Sequence, residues 1–358
     1  MITAFDFVVW IQTSFLGDII LSTGAFRAFR SRFPEKKQIL ITTQIGSRAL
    51  AGHSDLDKIV PFEKSGLSLR AFLNLQAQAR SWRRELGRGL ILQVHKSPRS
   101  TLLSHFLGMP MITYHQTPAS WSSLARVERV AMLHEAARVA LLLEPLGLPR
   151  QSASELRPTL SVYSGELPLP LLRFFHDKTS TAGDEPVVGI VPGSVWATKK
   201  WPASYYGQVV AKLLRLGVRV LLLGAKSEQQ DGEIIVATEG VGSHPKLLNA
   251  IGQTSLDELR AIYPRLNLVI SNDSSSLHYA SAFNIPTIAI FGATVPGLGF
   301  GPLSDWHRIS EHNDLPCRPC SDHGPQRCPL GHFRCMRDLH IDQVWQHVEE
   351  LRQSWQSP

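Results

Sequence analysis

The sequence predicts an α/β protein built from two parallel, helix-covered sheets. Three observations lead there. Short β-rich runs alternate with helical patterns through both halves of the chain. One stretch, "SGELPLPLLRFFHDKTSTAGDEP" (164–186), loses periodicity, gathers Pro, Ser, Thr and Gly, and reads as a linker. At 358 residues the chain is also too long for one ordinary core, so two domains of roughly 150–180 residues are expected.

In the first half the strands are expected at "FDFVVWI" (5–11), "QILITT" (38–43), "DKIVPF" (57–62), "LILQVH" (90–95) and "MITYH" (111–115). Helices are expected over 18–33 and over 68–86, where Leu69, Phe72, Leu73, Leu75 and Ala79 follow a helical stripe. A long helix over about 121–145, stopped by "LGLPR", closes this half. After the linker the strands restart at "VVGIV" (187–191), "VRVLLLG" (218–224), "KLLNAIG" (246–252), "LNLVIS" (266–271) and "TIAIFG" (287–292). This places an N-terminal domain at 1–178, a second domain at 179–340 and a final helix within 341–358.

Composition narrows the class. Apolar residues make up 43% and charged residues 19% of the chain, ordinary proportions for a soluble globular protein. The start, "MITAFDFVVWIQTSF", has no basic stretch ahead of its apolar run, and no run approaches the ~18 apolar residues of a membrane helix. A cytoplasmic protein is expected. Residues 1–180 carry 22 Lys+Arg against 13 Asp+Glu, whereas 181–358 carry 15 against 17. A basic first half points to an anionic partner for that half, an acidic membrane surface or a phosphorylated lipid; a basic solvated surface accounts for the same numbers. Nucleic acid is not expected, because no recognition motif or basic–aromatic interleaving occurs.

In open α/β sheets, ligands bind beyond the carboxyl ends of the strands, so the polar residues there are the candidates. After the first strand comes "QTSFLGD": Asp18 either caps a helix or acts as a general base on a sugar hydroxyl. In "PGSVWATKKWP" (192–202), Ser194 and Lys199 lie beside an expected helix start, a setting that suits phosphate. In "LLLGAKSEQQ" (221–230), Lys226 and Glu228 follow a strand end and are either solvated or face a nucleoside. The stretch "SNDSSSLH" supplies Asp273, Ser274, Ser275 and His278, which read as a helix cap or as one wall of a binding site. Cys317, Cys320, Cys328 and Cys335 fall within 19 residues; a tetrathiolate zinc site and free thiols both fit, and no metal is assigned. No G-x-G-x-x-G follows the first strand of either half, which disfavours a nucleotide-dependent oxidoreductase.

Taken in order, "SFLGDIILST", "PGSVWATKKWP", "LLLGAKSE", "SNDSSSLHYASAFNIPTIAIFGAT" and "CRPC…CPLGHFRCM" resemble the ADP-heptose:lipopolysaccharide heptosyltransferases of glycosyltransferase family 9, most nearly the heptosyltransferase II branch. The resemblance spans nearly the whole chain. It implies a GT-B fold: two Rossmann-like domains with parallel sheets facing a central cleft, the last helix crossing back to the first domain. It also implies an inverting, metal-independent transfer without cofactor, from an ADP-sugar held by the second domain to a phosphorylated, lipid-linked acceptor held by the first. That acceptor is the lipopolysaccharide inner core at the cytoplasmic membrane face. By the same resemblance Asp18 is the general base, and Lys199 holds the diphosphate with Ser194 beside it. Asp273, Ser274, Ser275 and His278 match the family's D-[ST]-G-x-x-H block at the nucleotide sugar, and Lys226 and Glu228 match a loop near the ribose. Ser275 stands where the family commonly has Gly, and Lys226 where one branch has an acidic residue; both bear on the donor sugar rather than on the reaction. Transfer with another nucleotide sugar or glycan acceptor, and a non-catalytic lipid- or glycan-binding protein, are the alternatives.

Overall fold

The computed structural model describes every residue except 1, 3, 63–68, 177–184 and 356–358. The chain divides into two compact units, Met1–Ser161 and Val162–Pro358. The domain boundary expected at 178/179 lies outside the described residues.

The first unit holds six strands: β1 (Phe7–Gln12), β2 (Lys37–Thr42), β3 (Lys58–Pro61), β4 (Gly89–Gln93), β5 (Met111–Tyr114) and β6 (Ala125–Val127). They pair in the order β3-β2-β1-β4-β5-β6, every pair parallel. The second unit repeats the plan with β7 (Val187–Val191), β8 (Arg219–Leu222), β9 (Leu247–Asn249), β10 (Leu268–Asn272), β11 (Thr287–Phe291) and β12 (His307–Glu311). Their order is β9-β8-β7-β10-β11-β12, again all parallel. The central strands are buried along their whole length, which is why "FVVWIQ", "GLILQ" and "VVGIV" read as continuous rather than alternating apolar runs. In each sheet the strand order reverses once, between β1 and β4 and between β7 and β10. In open α/β sheets the carboxyl ends of the strands at such a reversal are where ligands bind.

The core of the first unit gathers Phe7, Val9 and Ile11 with Phe72, Leu75 and Trp82 from the helix Leu69–Leu86. That of the second packs Val188, Ile190 and Ile270 against Tyr206, Val210 and Leu214 of the helix Ala203–Arg215. The final helix, Ile341–Trp355, contributes Val344, Val348 and Leu351 to the same core and lies against β11 and β12.

Three expectations from the sequence change. The helix expected over 18–33 is two, Leu16–Leu21 and Thr23–Arg32, because the Ser22 and Thr23 hydroxyls donate back to the carbonyls of Asp18 and Ile20 and turn the chain. The long helix over 121–145 does not form. Ala125–Val127 instead joins β5 as an edge strand, and His134 caps a short helix, Glu135–Ala140, which tightens into a 3₁₀ turn containing Pro145. The linker contains a helix, Leu169–His176, whose Leu171 and Phe174 are buried; Pro170 sits in its first turn, where the missing N–H costs nothing.

Candidate active site

In the second unit the loop after β7 and the segment after β10 meet at the point where the strand order reverses. Asn272, fully buried at the end of β10, fastens them together. Its amide donates to Pro192 O (2.6 Å), and its carbonyl oxygen accepts from the Trp201 N–H (3.1 Å) and the Tyr206 hydroxyl (3.0 Å). The next residue, Asp273, places Oδ2 2.7 Å from Lys199 Nζ and 2.7 Å from Thr294 Oγ1, a hydroxyl supplied by the turn after β11. Only 11% of the Lys199 side chain and 7% of the Asp273 side chain reach solvent, so water screens this pair weakly. Asp273 therefore fixes the position of the Lys199 ammonium, in addition to lining the site.

Ser274 caps the helix Ser275–Ala282, its Oγ accepting the Ser276 N–H at 3.3 Å. Ser275 opens that helix with no left-handed backbone, so the local conformation does not demand the glycine common in the family. His278, one turn on, is buried, with its ring 6.5 Å from that of Phe300. Ser194 is buried in the loop after β7 and accepts the Trp196 N–H at 3.3 Å. The Glu228 carboxylate accepts the Ala225 N–H at 2.8 Å and lies hard against two strand-end glycines. A Cβ on Gly193 would stand 1.8 Å from its carboxyl carbon, and one on Gly224 2.6 Å from its Oε2. Burial, the largest influence, raises the Glu228 pKa. Thus Ser194, Lys199, Glu228, Asp273, Ser274, Ser275 and His278 all collect at the carboxyl ends of β7, β8 and β10. Lys226 stands exposed on the loop after β8.

Sequence reasoning missed several residues. Asn272 and Thr294 stand at strand ends, and the same strand-end rule would have found both. Gln326 carries no local signal: it donates to Val195 O and accepts the Ala197 N–H, while the Thr198 hydroxyl donates to Pro325 O. The Cys-rich segment is thereby stitched to the loop that carries Lys199.

In the first unit Asp18 lies in the first turn of Leu16–Leu21, half-buried. Its carboxyl is pushed up to about 7, by burial first and by the Glu135 carboxylate second; the Asp18 and Phe15 N–H groups and Arg129 oppose the rise. A carboxyl with that affinity suits a general base working near neutral pH.

The sequence model of glycosyltransferase family 9 (heptosyltransferase) matches residues 80–328. The chain belongs to glycosyltransferase family 9. This family 9 chain is 23% identical over 321 residues to lipopolysaccharide heptosyltransferase 2 of Escherichia coli, covering 84% of the chain and 87% of that protein. It is 28% identical over 201 residues to lipooligosaccharide heptosyltransferase 2 of Campylobacter jejuni, a match covering 54% of the chain and only 60% of that relative's length. Among solved structures, a family 9 glycosyl transferase from Veillonella parvula superposes with a TM-score of 0.82 at 19% identity, over 98% of both chains. The E. coli ADP-heptose lps heptosyltransferase II superposes at 0.74 and 20% identity, over 98% of this chain and 99% of that one. Both likenesses extend over nearly the whole chain, so the fold is GT-B-like, with two Rossmann-like α/β domains.

None of the four cysteines of the family 9 chain is joined in a disulfide. Burial pushes Cys335 up to about 11. Cys328 stands below the ordinary thiol range: burial opposes this, but the N–H groups of Phe333, Leu330, Gly331 and His332 point at its sulfur. Among the described residues no group of three or more His, Cys, Asp or Glu stands close enough to hold a metal ion. Nor is any described helix long and apolar enough to cross a membrane.

Proposed function

We propose that this family 9 enzyme transfers heptose, with inversion, from ADP-L-glycero-D-manno-heptose to the phosphorylated inner core of lipopolysaccharide, working at the cytoplasmic face of the inner membrane without spanning it. The second unit holds the donor. Lys199, fixed by Asp273, meets the diphosphate; Ser194 and the Ser274–His278 block line the sugar phosphate, and Glu228 and Lys226 attend the nucleoside. The first unit, the basic one, takes the anionic acceptor.

In the transfer the acceptor hydroxyl oxygen attacks the anomeric carbon and Asp18 accepts its proton. The bond from that carbon to the β-phosphate oxygen breaks as the new bond forms, and its electron pair leaves with ADP. Charge grows on the departing diphosphate, and a preorganised ammonium such as Lys199 stabilises it most where water is excluded. What supports the reading is the Lys199–Asp273 pair at the switch point of the second sheet, in a chain whose family relatives are named heptosyltransferases.

ADP release on mixing ADP-heptose with heptose-deficient lipopolysaccharide tests it directly. The wild type turns over, whereas Asp18→Ala loses transfer by ~10²-fold or more and still binds ADP. Lys199→Ala binds the ADP-sugar at least ~10-fold more weakly. Turnover only with a different nucleotide sugar would favour the alternative donor within the family, and ADP-sugar binding without any transfer would favour a non-catalytic role.

A further inference from the structure

We propose that Glu135 is a positioning residue for Asp18: it opens the helix packed against Asp18's own, and Arg129 and Arg138 hold its buried carboxylate in place there. The inference rests on the reading of Asp18 as the base and deepens it.

Glu135 is the first residue of Glu135–Ala140, a helix that lies against both Leu16–Leu21 and Thr23–Arg32. It is buried, with 5% of its surface accessible, an unusual place for a carboxylate without a purpose. Its Oε2 receives Arg129 at 2.5 Å and Arg138 at 2.9 Å. Arg138 is itself buried and tied down, donating to Val130 O at 3.2 Å and Ala131 O at 2.5 Å, while the Tyr114 hydroxyl donates to Arg138 O. The negative charge is therefore held at a fixed place.

The other charges on elements packed against the Asp18 helix are committed elsewhere or exposed. Arg27 donates to Glu155 O and Arg157 O, and Arg30 pairs with Asp57. Arg48 is exposed. Glu135 and Arg129 are the two charges that act on Asp18, with opposite signs: the carboxylate favours the protonated acid and the guanidinium the ionised base. A network of this kind contributes no atom to the reaction and still decides the pH at which the base is ready.

The protonated-carboxyl infrared band that Asp18→Asn removes reports Asp18 without any substrate. It is titrated in the wild type, Glu135→Gln and Arg129→Gln, alongside the acid limb of kcat/KM with ADP-heptose and heptose-deficient lipopolysaccharide. Glu135→Gln is expected to move both midpoints about one pH unit lower and Arg129→Gln to move them higher, with the donor KM unchanged. A merely structural residue would lower turnover at every pH and leave both midpoints in place; that outcome in the folded variants overturns the proposal. Should Glu135→Gln fail to fold, Arg129→Gln carries the test through the opposite sign. Full turnover in Asp18→Asn would remove the base assignment, while the infrared midpoints would still decide the influence of Glu135.

Discussion

A half-buried carboxyl that titrates near 7 works against the fold. In the unfolded chain Asp18 ionises at about the ordinary aspartate value of 3.8, and in the native state at about 7. Between these values the native state holds the extra proton. Stability from this group is therefore intact below 3.8, falls as pH rises through the window and is fully lost above 7. Asp18→Asn cannot ionise and escapes the loss. Its melting temperature should exceed that of the wild type at pH 8, by roughly 2–4 °C per kcal/mol recovered, with the difference vanishing as pH approaches 4. Equal melting curves at pH 8 would mean that Asp18 ionises freely. Lys199 and Asp273 behave oppositely: each removes from water a charge that the other compensates, so deleting either strands a charge in a nearly dry site. A carboxyl strained by its surroundings and an ammonium satisfied by them are what the proposed roles of base and phosphate ligand require.

At the scale of elements, the proposed donor site depends on how closely the loops after β7 and β8 approach. Gly193 permits that approach, because the Glu228 carboxyl occupies the space a methyl group would need. Gly193→Ala should push Glu228 out of the strand-end gap and raise the donor KM by about tenfold, with unfolding little changed; an unaltered KM would mean that Glu228 lies away from the nucleoside. The strands of this site were legible in the sequence, since a buried parallel strand is an apolar run that ends abruptly in polar residues, and "LVISNDSSS" announces both. The stretch 121–145 was misread because its apolar residues keep a helical spacing, although Trp121 and Leu124 turn out exposed and the backbone between them and His134 pairs with a sheet edge. β12, "HRISE", went unseen because an edge strand that is only partly buried need not be apolar. Asp18, Lys199 and Asp273 were visible one by one. The Asp273–Lys199 pairing and the reach of Gln326 into the Lys199 loop were not, because each joins residues far apart in the chain that only the fold brings together.

Over the whole molecule, charge is divided between the two units. Residues 1–161 hold 20 Lys+Arg against 11 Asp+Glu, and 162–358 hold 17 against 19. Exposed charges act through solvent over roughly a Debye length, about 30 Å at 0.01 M salt and about 8 Å at 0.15 M, so attraction of an anionic acceptor to the first unit must weaken as salt rises. Lys199, the cation proposed to meet the donor, is nearly enclosed, and salt screens it far less. Raising salt between those limits should therefore increase the acceptor KM several-fold, leave the donor KM nearly constant and release the enzyme from anionic vesicles in cosedimentation. If the donor KM rose in step, charge would be distributed functionally across both units and the acceptor would have no claim on the basic one. If neither moved, the excess of Lys and Arg would be a solubilising surface, and recognition of the acceptor would have to rest on contacts other than charge.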